Sequence, residues 1–188
     1  MVSASTTTPH RTVTYLFDPL CGWCYGASPA IQKLGQHATI RLALAPTGLF
    51  AGAGGRVMDA AFADYAWSND VRIEKLTGQR FTEDYCTKIL GQPGSRFDSA
   101  TSTLALTAVA LTVPQHELDA LKMLQEARYI HALDTTAVPV VEKLLRDMGL
   151  DAAADRLAAG DPDLQAANTA RNHKAQGLTQ TLGAQGVP

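Results

Sequence analysis

Two cysteines, three positions apart, stand where a predicted strand meets a predicted helix, and this arrangement constrains the chain more than any other feature. The stretch is DPLCGWCYG, residues 18–26, and it holds two of the three cysteines. The β-branched and aromatic run Thr12–Phe17 predicts a buried strand before the pair. From Cys21 onward the apolar spacing predicts a helix, which we expect Pro29 to kink. The first predicted unit is therefore strand, turn, cysteine pair and helix.

The remainder of the chain predicts one more strand and then a long helical block. The second strand is Thr39–Ala45, which we expect Pro46 to end, and a glycine-rich connector follows. Asp151 and Asp161-Pro162 have the pattern of helix starts with an aspartate N-cap. A third strand is expected to begin at Val187. Apolar spacing and glycine stops predict helices over Arg56–Trp67, Thr82–Leu90, Asp98–Val113, His116–His131, Val140–Met148 and Leu164–Leu182.

Charge and hydropathy exclude several classes of function. The net charge is -2, so no basic surplus favours binding to nucleic acid or to an anionic membrane. The longest uncharged run, residues 99–115, contains several serines and threonines and falls short of the ~18 apolar residues of a transmembrane helix. Residues 1–11 are polar and lack the apolar core of a secretory signal. We therefore expect a cytoplasmic protein, and structural disulfides rarely persist in that compartment.

Three roles are open to the cysteine pair: a structural staple, part of a metal site, or a redox pair. A disulfide between the two would close only four residues, for roughly 2 kcal/mol against about 3 kcal/mol for a fifteen-residue loop. A structural zinc site needs four ligands, usually in two close pairs. Cys86 is far away in the sequence, and His116 and His131 are isolated on predicted helices. The redox pair is the preferred interpretation, and a non-enzymatic metal-binding module is an alternative.

The position of the pair at a helix start favours redox chemistry. Cys21 would face the unpaired N–H groups and the positive dipole end of the helix, which lower the thiol pKa below its free value of ~8.5. Cys24 lies nearly one turn further on, along the same edge and deeper. We therefore expect Cys21 to be the exposed, attacking thiol and Cys24 the resolving thiol.

Together these features resemble a known family. A strand, Cys-Gly-Trp-Cys, a helix kinked by a proline five residues after the second cysteine, a second strand, a helical insertion and a late Gly-Val-Pro are similar to the DsbA-like branch of the thioredoxin superfamily. The stretches FDPLCGWCYG and LGAQGVP carry the resemblance, which spans residues 12–188. Within the branch, the chain is most similar to a cytosolic bacterial group named DsbA family proteins or provisionally assigned as protein-disulfide isomerases.

The resemblance implies an α/β fold of the thioredoxin type with a large all-helical insertion. The thioredoxin-like domain would comprise residues 11–50 plus 183–188, and the inserted domain residues 54–182. Thioredoxin-like domains continue past their cis-proline with a strand hairpin and a helix, whereas this sequence stops at Pro188. Because two strands alone leave an exposed edge, we expect roughly 20 to 30 further residues in the gene. A protein ending at Pro188 would then be poorly soluble and poorly active.

The resemblance also implies a function, that of a thiol–disulfide oxidoreductase or isomerase working through a mixed disulfide. The implied site residues are Cys21 and Cys24 as the catalytic pair, Gly22 and Trp23 as the motif between them, and Val187 and cis Pro188 as the substrate-binding segment. The implied partners are protein or peptide thiols and disulfides, with glutathione or a thioredoxin-type reductant. No bound cofactor, metal, nucleic acid or membrane is expected.

Two features of the motif leave the direction of electron flow open. The Gly-Trp dipeptide resembles the Gly-Tyr of the disulfide isomerase, whereas Val187 before the proline resembles the strong oxidant of the family. A glutathione-dependent isomerase or transferase similar to the kappa class is the alternative within the superfamily. Those proteins usually carry serine at the Cys21 position and no CxxC, so Cys24 argues against them.

Four further residues have both a structural and a functional interpretation. Asp18 is expected to cap the helix, with electrostatic tuning of the Cys21 pKa as the alternative. Cys86 is expected to be an ordinary buried cysteine, with a second redox role as the alternative. Trp23 and Tyr25 are equally compatible with substrate contact and with packing.

Overall fold

The computed structural model describes residues 11–188, and its first unit is a parallel pair of strands joined by a helix. Strand β1 (Arg11–Phe17) pairs with β2 (Ile40–Pro46), with Arg11 opposite Ile40 and Phe17 opposite Pro46. Helix α1 (Gly22–Gly35) connects them and contains Pro29. The strand–helix–strand prediction is therefore confirmed, except that Pro46 forms the last pair of β2 instead of following the strand.

Most of the remaining chain is helical, as the sequence predicts. The helices are α2 (Ala60–Thr77), α3 (Glu83–Tyr85) continued by a π-helical turn (Cys86–Leu90), α4 (Ala100–Thr112), α5 (Glu117–Tyr129), α6 (Val138–Asp147), α7 (Asp151–Ala158) and α8 (Pro162–Thr181). Short 3-10 turns lie at Gly52–Gly54 and Pro114–His116. The α/β class with a large helical insertion is confirmed.

The helix predicted over Arg56–Trp67 is wrong in its first turn. Arg56–Val57 form strand β3, which pairs antiparallel with β4 (Arg96–Phe97). The helix starts at Ala60, because the Asp59 side chain caps it by accepting a hydrogen bond from the Phe62 N–H at 2.7 Å. This capping hydrogen bond fixes the N-terminus of the helix, so residues 56 and 57 remain extended.

Two other helix starts and the C-terminal segment also bear on the predictions. Asp161 caps α8 and accepts hydrogen bonds from two N–H groups of the first turn, with Pro162 following, as predicted. Asp151 is instead the first residue of α7, and Leu150 occupies the cap position.

Within residues 11–188 the strands form two two-stranded sheets, neither of which includes Val187, so the third strand expected there is not present.

The core consists of two hydrophobic clusters that meet at the start of α1. The first joins Tyr15 and Phe17 of β1 to α4, α5, α6 and α7, and it includes Cys21 and Cys24. The second is rich in aromatic side chains, lies against α2, and includes Leu20. The cysteine pair therefore lies at the junction of the clusters, where packing on both sides limits its movement.

Helix α8 is held against β2 by one arginine. The Arg171 guanidinium donates hydrogen bonds to Glu117 Oε1 at 2.6 Å, to the Leu44 carbonyl at 3.3 Å and to Thr107 Oγ1 at 3.1 Å. A fork of donors suits such a three-way contact. In the described part of the chain, no helix is long and apolar enough to cross a bilayer.

Candidate active site

Cys21 occupies the N-cap position of α1. Its backbone is extended, with φ -80° and ψ 115°, and its carbonyl accepts the first helical hydrogen bond from the Tyr25 N–H at 3.0 Å. The Cys21 N–H donates to the Asp18 carbonyl at 3.1 Å, which closes the turn between β1 and α1. The sulfur thus lies beside the unpaired N–H groups of the first turn, as the sequence predicts.

The two cysteines differ in burial less than predicted. Cys24 is completely buried, and Cys21 is 7% exposed instead of open to solvent. Packing against both clusters covers most of Cys21, which a local sequence pattern does not reveal. The order of solvent accessibility is nevertheless as expected, because Cys21 is the more accessible of the two thiols.

The pKa values of the two thiols move in opposite directions. A hydrogen bond from the Cys24 thiol, and then the backbone N–H groups of Cys24 and Trp23, lower the pKa of Cys21 against burial and the Asp18 charge. Burial, followed by the hydrogen bond to Cys21, raises the pKa of Cys24 well above its ordinary value. Both cysteines are free thiols in this structure. The pair therefore has one sulfur, Cys21, that ionises more easily than an ordinary thiol and one, Cys24, that holds its proton more tightly.

Asp18 does not cap α1, contrary to the prediction. It is completely buried and anchors the loop before the cysteines. Its carboxylate accepts hydrogen bonds from the Leu20 N–H at 2.9 Å, the Phe50 N–H at 3.1 Å and the Ser99 hydroxyl at 2.7 Å. Burial raises the pKa of Asp18 in spite of these donors. The alternative interpretation, an electrostatic effect on Cys21, agrees with the structure, because the Asp18 charge acts to raise the pKa of Cys21.

The predicted substrate-binding segment lies beside Cys21. The Cys21 thiol lies 3.6 Å from the Val187 carbonyl oxygen, a distance compatible with a weak S–H···O hydrogen bond. The Val187–Pro188 peptide bond is cis. The structure therefore brings together five of the six predicted site residues, Cys21 to Cys24 and Val187, with Pro188 adjoining Val187.

Gly22 and Trp23 have different surroundings. A Cβ atom on Gly22 would collide with Oδ1 of Asp70 and lie 3.1 Å from Ile73 Cδ1, both on α2. Trp23 is half-buried and packs against both hydrophobic clusters, and the Arg72 guanidinium lies 5.7 Å from its ring centroid. Gly22 thus permits close packing of α1 on α2.

Tyr25 and Cys86 now have structural interpretations. Tyr25 is buried and stacks on Tyr129 at a centroid distance of 4.8 Å, so it packs the core. Cys86 begins the π-helical turn and is partly exposed, so the expectation of a buried residue is wrong. Burial, followed by the charges of Asp70 and other acids, raises the pKa of Cys86, which disfavours a reactive thiolate there.

Sequence reasoning missed two residues of the site. The Tyr15 hydroxyl donates to the Cys24 carbonyl at 3.2 Å, and burial raises the Tyr15 pKa. Asp70 is 5% exposed, and burial raises its pKa to about 7 although the Tyr85 hydroxyl donates to it at 3.3 Å. Asp70 stands in the run SNDVRIEK, which is typical of a solvated helix face, so no local signal could have identified it.

Metal ligation by the pair finds no support in the surroundings. Among residues 11–188, no group of three or more His, Cys, Asp and Glu side chains is placed to hold a metal ion. The arrangement instead provides two neighbouring sulfurs of unequal pKa at a helix N-terminus. Such a pair can attack a disulfide with one sulfur and release the product with the other.

Comparisons with known proteins agree with this chemistry. No protein-family model matches the chain, and no curated protein does. The solved structure of the cytosolic disulfide reductase DsbM from Pseudomonas aeruginosa matches with 30% identity and a TM-score of 0.82, over 95% of this chain and 82% of DsbM. The structure of DsbM with GSH matches with the same identity and TM-score, over 84% of that chain.

A third structure supports the fold alone. It comes from Nitrosomonas europaea, is provisionally assigned as a protein disulfide isomerase, and matches with 21% identity and a TM-score of 0.77, over 95% of this chain and 82% of that one.

Fold and site together define a thiol–disulfide oxidoreductase. The chain belongs to the DsbA-like family of the thioredoxin superfamily.

Proposed function

We propose that the protein exchanges thiols and disulfides through Cys21 and Cys24 by way of a mixed disulfide. The supporting observation is the asymmetry of the pair: the more accessible Cys21 has the lowered pKa, and the buried Cys24 has the raised one. The Cys21 thiolate attacks one sulfur of a substrate disulfide, forms a new S–S bond to it and releases the other sulfur as a thiolate. Cys21 is the sulfur that a substrate can reach.

The second step regenerates a free substrate thiol. Cys24 loses its proton and attacks the Cys21 sulfur, which breaks the mixed disulfide and leaves the Cys21–Cys24 disulfide. Two electrons have then passed from the cysteine pair to the substrate. Cys24 lies three residues after the N-cap residue Cys21, nearly one turn along α1, so the two side chains lie on the same edge of the helix.

A reductant closes the cycle, and glutathione is the one that we infer. Two glutathione molecules reduce the Cys21–Cys24 disulfide and leave as glutathione disulfide. The relative DsbM is named a cytosolic disulfide reductase and has a structure with GSH. On this basis we infer a cytoplasmic location and net reduction of protein or small-molecule disulfides. The Val187 carbonyl and Pro188 would border the substrate bound at Cys21.

Three cysteine variants test the mechanism. Cys24→Ser should accumulate mixed disulfides when pre-reduced protein is mixed with insulin, because attack survives and resolution does not. Cys21→Ser should form none and should not reduce insulin. Cys86→Ser is the matched control and should behave as the wild-type protein. Mass spectrometry of non-reduced samples detects the adducts, and a Cys24→Ser protein without adducts would contradict the mechanism.

A further inference from the structure

A cleft lined by aromatic side chains opens beside Cys21, where α1 meets α2. Its volume is about 210 Å³. We call it the aromatic cleft and define it by Trp23, Phe50, Phe62, Tyr65 and Tyr85, with Cys21 in its wall. Clefts that bury drug-sized ligands are larger, at ~300–1,000 Å³. The aromatic cleft therefore has room for one large side chain.

We propose that the aromatic cleft binds one large apolar side chain, aromatic by preference, that neighbours the reactive cysteine of a peptide disulfide. The inference rests on the proposed function, because it concerns the substrate of the same cysteine pair. It adds a specificity site on the α2 side of Cys21. Val187 is not among the residues of the cleft, so the two surfaces contact Cys21 separately.

The lining favours an apolar occupant over a charged one. No lysine, arginine or histidine is among the described residues that line the cleft, although the Arg56 and Arg72 guanidinium groups lie over the rings of Phe62 and Trp23, at 4.1 and 5.7 Å from the ring centroids. The acid in the wall is Asp70, whose Oδ2 accepts the hydrogen bond from Tyr85. Asp70 offers no positive charge to an anion, whereas an apolar side chain that enters the cleft leaves water for an aromatic surface.

The walls of the cleft are already packed in place. Phe50 and Phe62 both contact the ring of Phe97, with centroid distances of 5.0 and 5.2 Å in edge-to-face geometry. The Arg56 guanidinium covers Phe62 at 4.1 Å from the ring centroid. Tyr65 stands at the rim and is 65% exposed. Because the inner walls are ordered before binding, little conformational entropy is lost when a side chain enters.

The test compares two peptide disulfides. One is the symmetric disulfide of acetyl-Gly-Phe-Cys-Phe-Gly-amide, and the other has glycine in place of both phenylalanines. Pre-reduced protein is mixed with each, and the second-order rate constant of a single turnover is measured by acid quench and mass spectrometry. A hydrophobic pocket discriminates by roughly tenfold or more for such differences. We expect the aromatic peptide to react at least about tenfold faster.

Substitutions on α2 locate the preference. Ala66 lines the cleft, and Ala66→Phe should fill it and bring the ratio of the two rate constants close to one. Ala61→Phe is the matched control, since Ala61 is exposed on the same helix and does not line the cleft; it should keep the wild-type ratio. Tyr65→Ala changes a rim residue that is 65% exposed, and it should lower the ratio several-fold.

The outcomes separate this inference from the proposed function. Equal rate constants for the two peptides in the wild-type protein would overturn the cleft as a specificity site and leave the cysteine mechanism standing. A preference that survives both Ala66→Phe and Tyr65→Ala would place the apolar site elsewhere and would also overturn the inference. A protein that reduces neither peptide fails the proposed function, and the inference fails with it.

Discussion

The carboxylate of Asp70 lies directly against the backbone of Gly22, the first residue of the helix that carries the cysteine pair. A side chain at position 22 would meet Asp70 Oδ1 and Ile73 Cδ1, and one at Gly26 would come within 2.6 Å of Ile73 Cγ2. The two glycines, four residues apart, lie on one face of α1. Helix α2 therefore requires glycine between the cysteines for reasons of packing.

We expect Gly22→Ala to destabilise the protein by about 1 to 3 kcal/mol, because the added methyl group must displace α2. Gly177→Ala is the matched control. Gly177 lies in α8 with open space around its Cα, so alanine should stabilise that helix by about 1 kcal/mol. Urea unfolding of both variants gives the free energies. A Gly22→Ala protein as stable as the wild type would show that the two helices can separate without cost.

The order of thiol reactivity should be Cys21 first, then Cys86, with Cys24 last. The neighbouring thiol and backbone donors lower the pKa of Cys21, whereas burial raises the pKa of the other two. Iodoacetamide labelling of the reduced protein at pH 6, followed by peptide mass mapping, measures the order. Faster labelling of Cys86, the more exposed thiol, would show that exposure outweighs the pKa.

Asp70 should make the protein less stable as the pH rises. Its pKa is about 7 when folded and 3.8 ordinarily, so between these values the folded state binds a proton that the unfolded state has lost. The free energy of unfolding then falls by up to about 1.4 kcal/mol per pH unit in this window. From pH 5 to pH 8, the wild type should lose about 2.5 kcal/mol more stability than Asp70→Asn.

Urea unfolding of both proteins at pH 5 and pH 8 measures this difference. Asp18 and Glu117 also have raised pKa values and contribute to the slope of both proteins, so only the difference between the proteins reports Asp70. Parallel pH profiles for wild type and Asp70→Asn would mean that the carboxyl keeps its ordinary pKa when folded.

Ser99→Ala should destabilise the protein by about 1 to 3 kcal/mol, because it removes one of three donors to a buried carboxylate. Ser68→Ala, on the exposed face of α2, is the control and should change the stability by less than about 0.5 kcal/mol. Thermal or urea unfolding measures both. If the two variants are equally stable, a water molecule or another donor must replace the Ser99 hydroxyl.

Local sequence patterns predicted the parts of the site that lie close together in the chain. The β-branched and aromatic run of β1 and the pair Cys21 and Cys24 each extend over only a few residues, so the strand and the helix N-terminus could be recognised. The error at the start of α2 is also local. Asp59, the residue immediately before this helix, shows that the cap and not the apolar spacing decides where the helix begins.

The sequence by itself determined the cysteine pair, the helix that carries it and the family to which the chain belongs, because each depends on short-range geometry or a contiguous motif. Only the tertiary structure decided what surrounds the pair. Ser99 reaches Asp18 across 81 residues, Val187 reaches Cys21 across 166, and Asp70 reaches Gly22 from another helix. Such contacts depend on which helices pack against each other, and the apolar spacing of one helix shows that it has a buried face without showing what covers that face.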